Sequence, residues 1–310
     1  MTNQKHHYMT NLYLFRRKFF KASAVALTLL MTVVSSGTLA QSVVEVKPAP
    51  VQHTTPSDVI AVLGAFPEEV RILLTQVQDK REVTIQRTLF TTGTLRGARV
   101  VVALTGIGKV NAGTTTMLTL EHFRPKVLLF TGIAGGINPV MMPGDIVIGT
   151  QIGYHDYGTL TPSGMRRGPT RDPATHAENP LYFSCDTAWV KRAVDASKKI
   201  AWEKVITAGG ARVPAIRTGV IVTGDVFVAS DAATRELSAT MHAEATEMEG
   251  AAVAQVCYQQ QVPFLVIRSM SDNAGNNATH DMKAFYAVAA RNSAEFVMTI
   301  VDMAHIEMKK

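Results

Sequence analysis

Cysteine is nearly absent from this chain, with two in 310 residues. These are Cys185 and Cys257, and no Cys/His cluster has zinc spacing, nor is there an HExxH run. Neither a disulfide framework nor a metal site is therefore indicated. Cys257 falls in an apolar helical pattern, where a buried thiol is the expectation. Charged residues make up only 18% and aromatics 7%. No Gly-X-Y period, heptad run or repeat of 20–50 residues occurs, which excludes fibrous and solenoid architectures. What the chain has in quantity is apolar residues, 46% of the total. That is enough to bury a sizeable core and excludes a disordered tail.

The formal charge of +6 and the pI near 9.3 suggest a nucleic-acid binder until their placement is considered. Lys5, Arg16, Arg17, Lys18 and Lys21 stand in residues 1–40 without an acidic residue, so this segment holds +5 and the remainder +1. A near-neutral remainder gives no electrostatic footprint for nucleic acid, which is not an expected partner. The basic cluster precedes an apolar run from Ala22 to Val34 and small residues ending at Ala40. That order is the signature of a secretory signal peptide. The run is short of the ~20 residues of a membrane span. An exported protein, periplasmic or secreted, without stable membrane insertion is expected after cleavage, an uncleaved anchor being the remaining alternative. Arg16-Arg17-Lys18-Phe19-Phe20-Lys21 also resembles a twin-arginine signal, and both that route and the general secretory route stay open.

Residues 41–57 contain three prolines and read as an extended linker. No comparable stretch divides residues 58–310, so one domain is expected there. Apolar runs at 58–65, 99–104, 126–130, 145–150, 219–223 and 263–267 read as buried strands. Helical patterns cover the segment from Pro67, then 110–123, 187–199 with Asp186 as N-cap, 247–259 and about 281–304. Alternating elements imply an α/β sheet with helices on both faces, whose ligands sit at the carboxyl ends of the strands. The Gly-rich turns fall at those ends. Gly106-Ile107-Gly108-Lys109 lacks the third glycine of a dinucleotide fingerprint and the Ser/Thr of a phosphate-binding loop. Tight packing explains such glycines as well as a ligand does.

Six segments taken together are more specific: Gly64-Ala65-Phe66-Pro67-Glu68-Glu69-Val70, Thr105-Gly106-Ile107-Gly108-Lys109-Val110, Thr131-Gly132-Ile133-Ala134-Gly135-Gly136, Gly224-Asp225-Val226-Phe227, Glu247-Met248-Glu249 and Arg268-Ser269-Met270-Ser271-Asp272. In order and spacing the chain from about 58 to 304 resembles the 5′-methylthioadenosine/S-adenosylhomocysteine nucleosidases of the nucleoside phosphorylase superfamily. The resemblance implies a three-layer α/β sandwich, with a central mixed twisted sheet flanked by helices. It also implies cofactor-free hydrolysis of the bond between adenine and a 5′-modified ribose, and a homodimer.

Adenine is a poor leaving group and needs an acid as the bond breaks. By resemblance that acid is Asp272, with Ser271 beside it in the substrate site. An aspartate acts as an acid near neutral pH only if its pKa is raised. A helix N-cap is the structural alternative for Ser271-Asp272. Glu69 matches the glutamate that activates water, and Glu249 the one that accepts hydrogen bonds from the ribose hydroxyls. Met248 matches a residue packed on the ribose. Phe227 and Val228 match the segment that holds the base, Phe285 a phenylalanine near the sugar, and Arg268 an arginine in the neighbourhood. Thr105 stands at a usual serine and Phe66 at a usual methionine. Glu247 stays open between core and site.

Phosphorylases need a strong anion site, and Phe66-Pro67-Glu68-Glu69 places acid where phosphate would sit, so hydrolysis is expected. A phosphate-dependent phosphorylase, another purine nucleosidase and a non-catalytic storage or adhesin protein of the same fold remain the alternatives. The segment 154–185 departs from the family after its Tyr-His-Asp start and adds Arg166, Arg167 and Arg171, which read as a solvated loop. In the family this region helps form the dimer interface and the pocket for the 5′ substituent.

Overall fold

A computed structural model describes residues 57–207 and 210–308. The segments read as a signal peptide and a linker, apart from Ser57, lie outside the described residues. Ser57 itself opens the first strand, β1 (Ser57–Gly64). Its run Ile60–Gly64 is buried on both faces, which is why it reads as continuous apolar sequence rather than alternation. Proline at the first helical position then starts α1 (Pro67–Gln76).

Two antiparallel strands that carry no sequence signal follow, β2 (Gln78–Ile85) and β3 (Thr88–Leu95). The second pairs with β4 (Ala98–Leu104), after which come α2 (Lys109–Phe123) and β5 (Pro125–Gly136). The apolar run at 126–130 is thus only the first half of a strand. Thr131-Gly132 and Gly135-Gly136 stay in strand geometry because β14 (Phe264–Asp272) continues alongside, pairing Thr131, Gly132 and Gly135.

Between these lie β6 (Ile146–Tyr154), a hairpin of β7 (Gly158–Thr161) and β8 (Gly164–Arg167), β9 (Tyr182–Ser184) and α3 (Thr187–Ser197). Asp186 caps α3 as expected, accepting from the amides of Ala188 and Trp189 at 3.0 Å each. The small hairpin β10 (Val205–Thr207) and β11 (Gly210–Arg212) precedes β12 (Ile216–Thr223), α4 (Asp231–Met241) and β13 (Ala243–Glu247). Helix α5 is Gly250–Gln259, and α6, Ala278–Met308, closes the described chain.

The main sheet runs β13-β12-β6-β14-β5-β1-β4-β3-β2, with β9 on β6. It is mixed: β14 is parallel to β5 but antiparallel to β6. A further antiparallel pairing, Ala245 with Gly136 and Thr246 with Gly135, joins β13 to β5 and closes five strands into a ring. Helices α1 and α3 pack on α6, while α2 packs on α5. Both groups pack on the same central strands, which places them on opposite faces and gives the expected three layers.

One expectation is overturned and one alternative falls away. The helix read over 247–259 begins only at Gly250, because Ala243–Glu247 is drawn into the sheet beside β12. Ser271 and Asp272 cap no helix; they are the last residues of β14. Cys185 and Cys257 are buried free thiols. Among the described residues no helix is long and apolar enough to cross a membrane, and no cluster of His, Cys, Asp or Glu is placed to hold a metal.

Candidate active site

The carboxyl ends of β1, β4, β5, β13 and β14 converge on one cleft. It is lined by Phe66, Ile107, the Ile133–Gly135 backbone, Phe227, the 246–249 segment, Ser271, Asp272 and Met282. An adjoining recess adds Val226 and Val228. A larger cavity of about 530 Å³ lies at the opposite ends of β1 and β4, between Arg81, Arg99 and His122. It holds none of the carboxylates considered above.

Glu69 sits in the first turn of α1 rather than at the end of β1, and is almost fully buried. Its Oε2 accepts from the amides of Ala65 (2.6 Å) and Phe66 (2.8 Å), and Oε1 from that of Ile133 (3.1 Å). The first two satisfy amides at the start of α1, which have no partner within the helix, and the third ties the carboxylate to β5. Burial raises its pKa, against the charge of Arg268 and the three amides. Its neighbour Glu68 points outward, where the Tyr286 hydroxyl donates to it at 2.7 Å.

Glu249 stands at the junction of β13 and α5. Its Oε1 accepts from the Gly108 amide at 2.9 Å, and its Oε2 lies 3.8 Å from the Arg268 guanidinium. Burial and the adjacent charge of Glu247 push its pKa up to about 8, with Arg268 and the Gly108 amide opposing. Asp272, at the end of β14, is 1% exposed. Its Oδ2 accepts from the Ser271 hydroxyl and its Oδ1 from the Ala274 amide, both at 2.7 Å. Burial raises its pKa as well, while Ser271 and Ala274 oppose the rise. An acid kept off its ordinary low pKa is what donation to a leaving base requires.

Arg268 and Glu247 form the buried centre beneath these groups. Arg268 donates to Glu247 Oε2 at 2.5 Å and lies 4.3 Å over the Phe130 ring. Its pKa is raised although burial lowers it, because Glu247, Glu249 and Glu69 all face it. Glu247 also accepts from Thr223 and from the amides of Glu249 and Gly250, so it fixes the backbone that carries Glu249. Glu247 is therefore a site residue whose part the sequence left open; a glutamate two positions before Glu249, with a buried arginine elsewhere, was the available signal. Gly132 is required here, since a Cβ would fall 2.6 Å from Glu69 Oε1 and 2.7 Å from Arg268 Nη1. Three glutamates and one guanidinium share a volume that admits no further side chain.

The outer residues fare unevenly. Met248, Phe227, Val228, Ser271 and Phe66 line the cleft or its recess. Phe285 does not line it; Met282, one turn earlier on α6, does. Residues three apart share a helix face, so the periodicity could not choose between them. Tyr286, next to Phe285, packs edge-on against Phe66 at 5.9 Å. Thr105 turns its hydroxyl to the carbonyls of Gly64 and Gly106 and so joins β1 to β4 instead of facing the cleft. Arg167, read as solvated, is largely covered and holds Glu236, Thr240 and the His155 carbonyl.

The cleft has a free volume of about 70 Å³. Ligand pockets usually offer at least about 300 Å³. Phe227 (47% exposed) and Ile107 (46%) are the most exposed side chains of the cleft's walls.

Residues 59–302 match the model of the phosphorylase superfamily. The 5′-methylthioadenosine/S-adenosylhomocysteine nucleosidase of Geobacillus sp. (strain WCH70) is 38% identical over 78% of this chain and 97% of its own length. Among solved structures, the corresponding nucleosidase from Neisseria meningitidis in complex with methylthio-immucillin-A aligns with TM-score 0.69 at 34% identity. It covers 80% of this chain and all of that one. The Colwellia psychrerythraea nucleosidase in complex with adenine aligns with TM-score 0.69 at 32% identity, over 79% of this chain and 95% of that one. With the buried carboxylates at the strand ends and likeness along nearly the whole of these relatives, the chain belongs to the 5′-methylthioadenosine/S-adenosylhomocysteine nucleosidase family of the phosphorylase superfamily.

Proposed function

We propose that the protein hydrolyses the N-glycosidic bond of 5′-methylthioadenosine- and S-adenosylhomocysteine-type nucleosides, releasing adenine and a 5-thioribose. The observation that carries this reading is the pair of environments at one cleft. Asp272 is a buried acid of raised pKa, while Glu69 and Glu249 are aimed by backbone amides beside it.

In the reaction Asp272 donates its proton to the purine as the C1′–N9 bond breaks and its electron pair leaves with the base. Positive charge develops on the sugar, where donation from the ribose hydroxyls draws Glu249 into its ionised form and the carboxylate stabilises the oxocarbenium-like state. Water adds to C1′ and gives its proton to Glu69. The raised pKa of Glu69 brings it nearer the working pH, which suits a general base. Phe227 supplies a ring for the purine face, and Met248 packs on the sugar.

Hydrolysis is favoured over phosphorolysis because no Lys, Arg or His lines the cleft among the described residues, and Arg268 is engaged by Glu247. Titrating the purified protein with 5′-methylthioadenosine, adenosine and inosine, with and without phosphate, tests the reading. Adenine release from 5′-methylthioadenosine should be equal in both buffers; a strict phosphate requirement overturns it.

Two further points belong to the same proposal. The exposed Val110 and Met117 of α2, with Ile107, Val226 and Tyr258, offer apolar surface that suits a homodimer. Residues 1–40 would direct export and be removed, which intact mass of the mature protein checks.

A further inference from the structure

Lys109 occupies the first helical position of α2, and no acidic residue accompanies it in that turn. A cation there opposes the helix dipole, so something outside the helix has to hold it. Its ammonium lies 2.8 Å from both oxygens of Asp156 and 3.7 Å from Asp225, and 5.5 Å over the Tyr154 ring. Asp225 in turn accepts from the Lys109 amide at 2.8 Å, and its own amide donates to Asp156 at 2.8 Å. Three loops meet in this knot: the turn after β4, the end of β6, and the segment after β12 that carries Phe227. The preceding residue is Gly108, in left-handed backbone (φ 93°), whose amide is the one bound by Glu249. A Cβ at Gly108 would lie 3.2 Å from Asp225, so the turn and the knot are fitted to each other.

We propose that Lys109 is a positioning residue for ribose recognition: pinned by Asp156 and Asp225, it sets the first turn of α2 so that the Gly108 amide fixes Glu249 facing the 2′- and 3′-hydroxyls. This rests on the reading of Glu249 as the ribose acceptor. Lys109 does not line the cleft and so removes no ligand contact when replaced. Asp156, whose pKa is lowered because the Lys109 and Asp225 bonds outweigh its burial, stays ionised to hold it.

The test compares wild type, Lys109→Met and Lys109→Arg as full chains on 5′-methylthioadenosine and its 2′-deoxy counterpart. A site built to bind a hydroxyl rejects the analogue that lacks it, so wild type should strongly prefer the ribonucleoside. A displaced Glu249 should cost Lys109→Met about 100-fold in kcat/KM on the ribonucleoside. The deoxy substrate should lose far less, and Lys109→Arg should restore most of the preference. Should Lys109→Met prove too unstable by thermal melting, Asp225→Asn is read by the same ratio. An unchanged preference, or equal losses on both substrates, overturns the proposal while wild-type adenine release leaves the proposed function standing. A wild type that releases no adenine overturns the reading of Glu249 itself.

Discussion

The floor and the mouth of the cleft are built on different principles. At the floor, Glu69, Glu247, Glu249, Arg268 and Asp272 are each at most 6% exposed, and backbone amides or charged partners hold every one of them. At the mouth, Ile107, Phe227 and Met282 are apolar and at least partly exposed, and no hydrogen bond holds their side chains. A buried ionic cluster is costly to assemble, and removing one member strands the others, so its geometry tolerates little change. Apolar walls can be repacked at small cost. The contrast places the bond-breaking chemistry in the tightly bonded part and leaves the apolar, partly exposed part to contact with the substrate.

The most severe way to probe the contrast is Asp272→Asn. It keeps shape and the Ala274 contact but removes the donated proton, so adenine release should fall about a thousandfold with the melting temperature little changed. Steady-state kcat and a thermal melt check this, and near wild-type turnover would end the assignment of the acid. Phe227→Ala addresses the mouth. Losing a stacked ring should raise KM about tenfold while kcat stays close to wild type; a fall confined to kcat would mean the mouth takes part in chemistry.

The mildest effect is one of pH on the unliganded protein. Glu249 titrates near 4.5 when unfolded and is pushed up to about 8 in the fold. Between these values the native state binds more protons than the unfolded one, so stability falls as pH rises through the window. Glu249→Gln should flatten that decline in melting temperature; an unaltered slope would show that Glu249 is not a group the floor keeps from ionising.

Much of the floor was visible in the sequence, and little of the mouth. Apolar runs such as Ile60–Leu63 and Val127–Phe130 mark buried strands, and the glycines after them mark the ends at which carboxylates collect. The hairpin β2–β3 was invisible because β2 is a charged edge strand, exposed save for half-buried Ile85, with no apolar alternation to read. Glu247 was taken into the following helix, and Ala243–Thr246 gave no strand signal, since the strand comes from pairing with Val220–Thr223, a tertiary cause. Phe285 and Met282 lie on one face of α6, and only the packing of that helix over the cleft selects the methionine. Glu247 carries its weight through Arg268, 21 residues away, a partnership that no local pattern announces.

The antiparallel seam between β13 and β5 has a mechanical consequence. Ala245 and Thr246 are stitched to Gly136 and Gly135 within the same hoop that bears Glu247 on one stave and Asp272 on another. A hoop cannot let one stave slide without shearing its neighbours. The spacing between Asp272 and Glu247, with Glu249 tied to the latter, is therefore inherited from the register of the whole loop, and a shift by one rung would disarm them together.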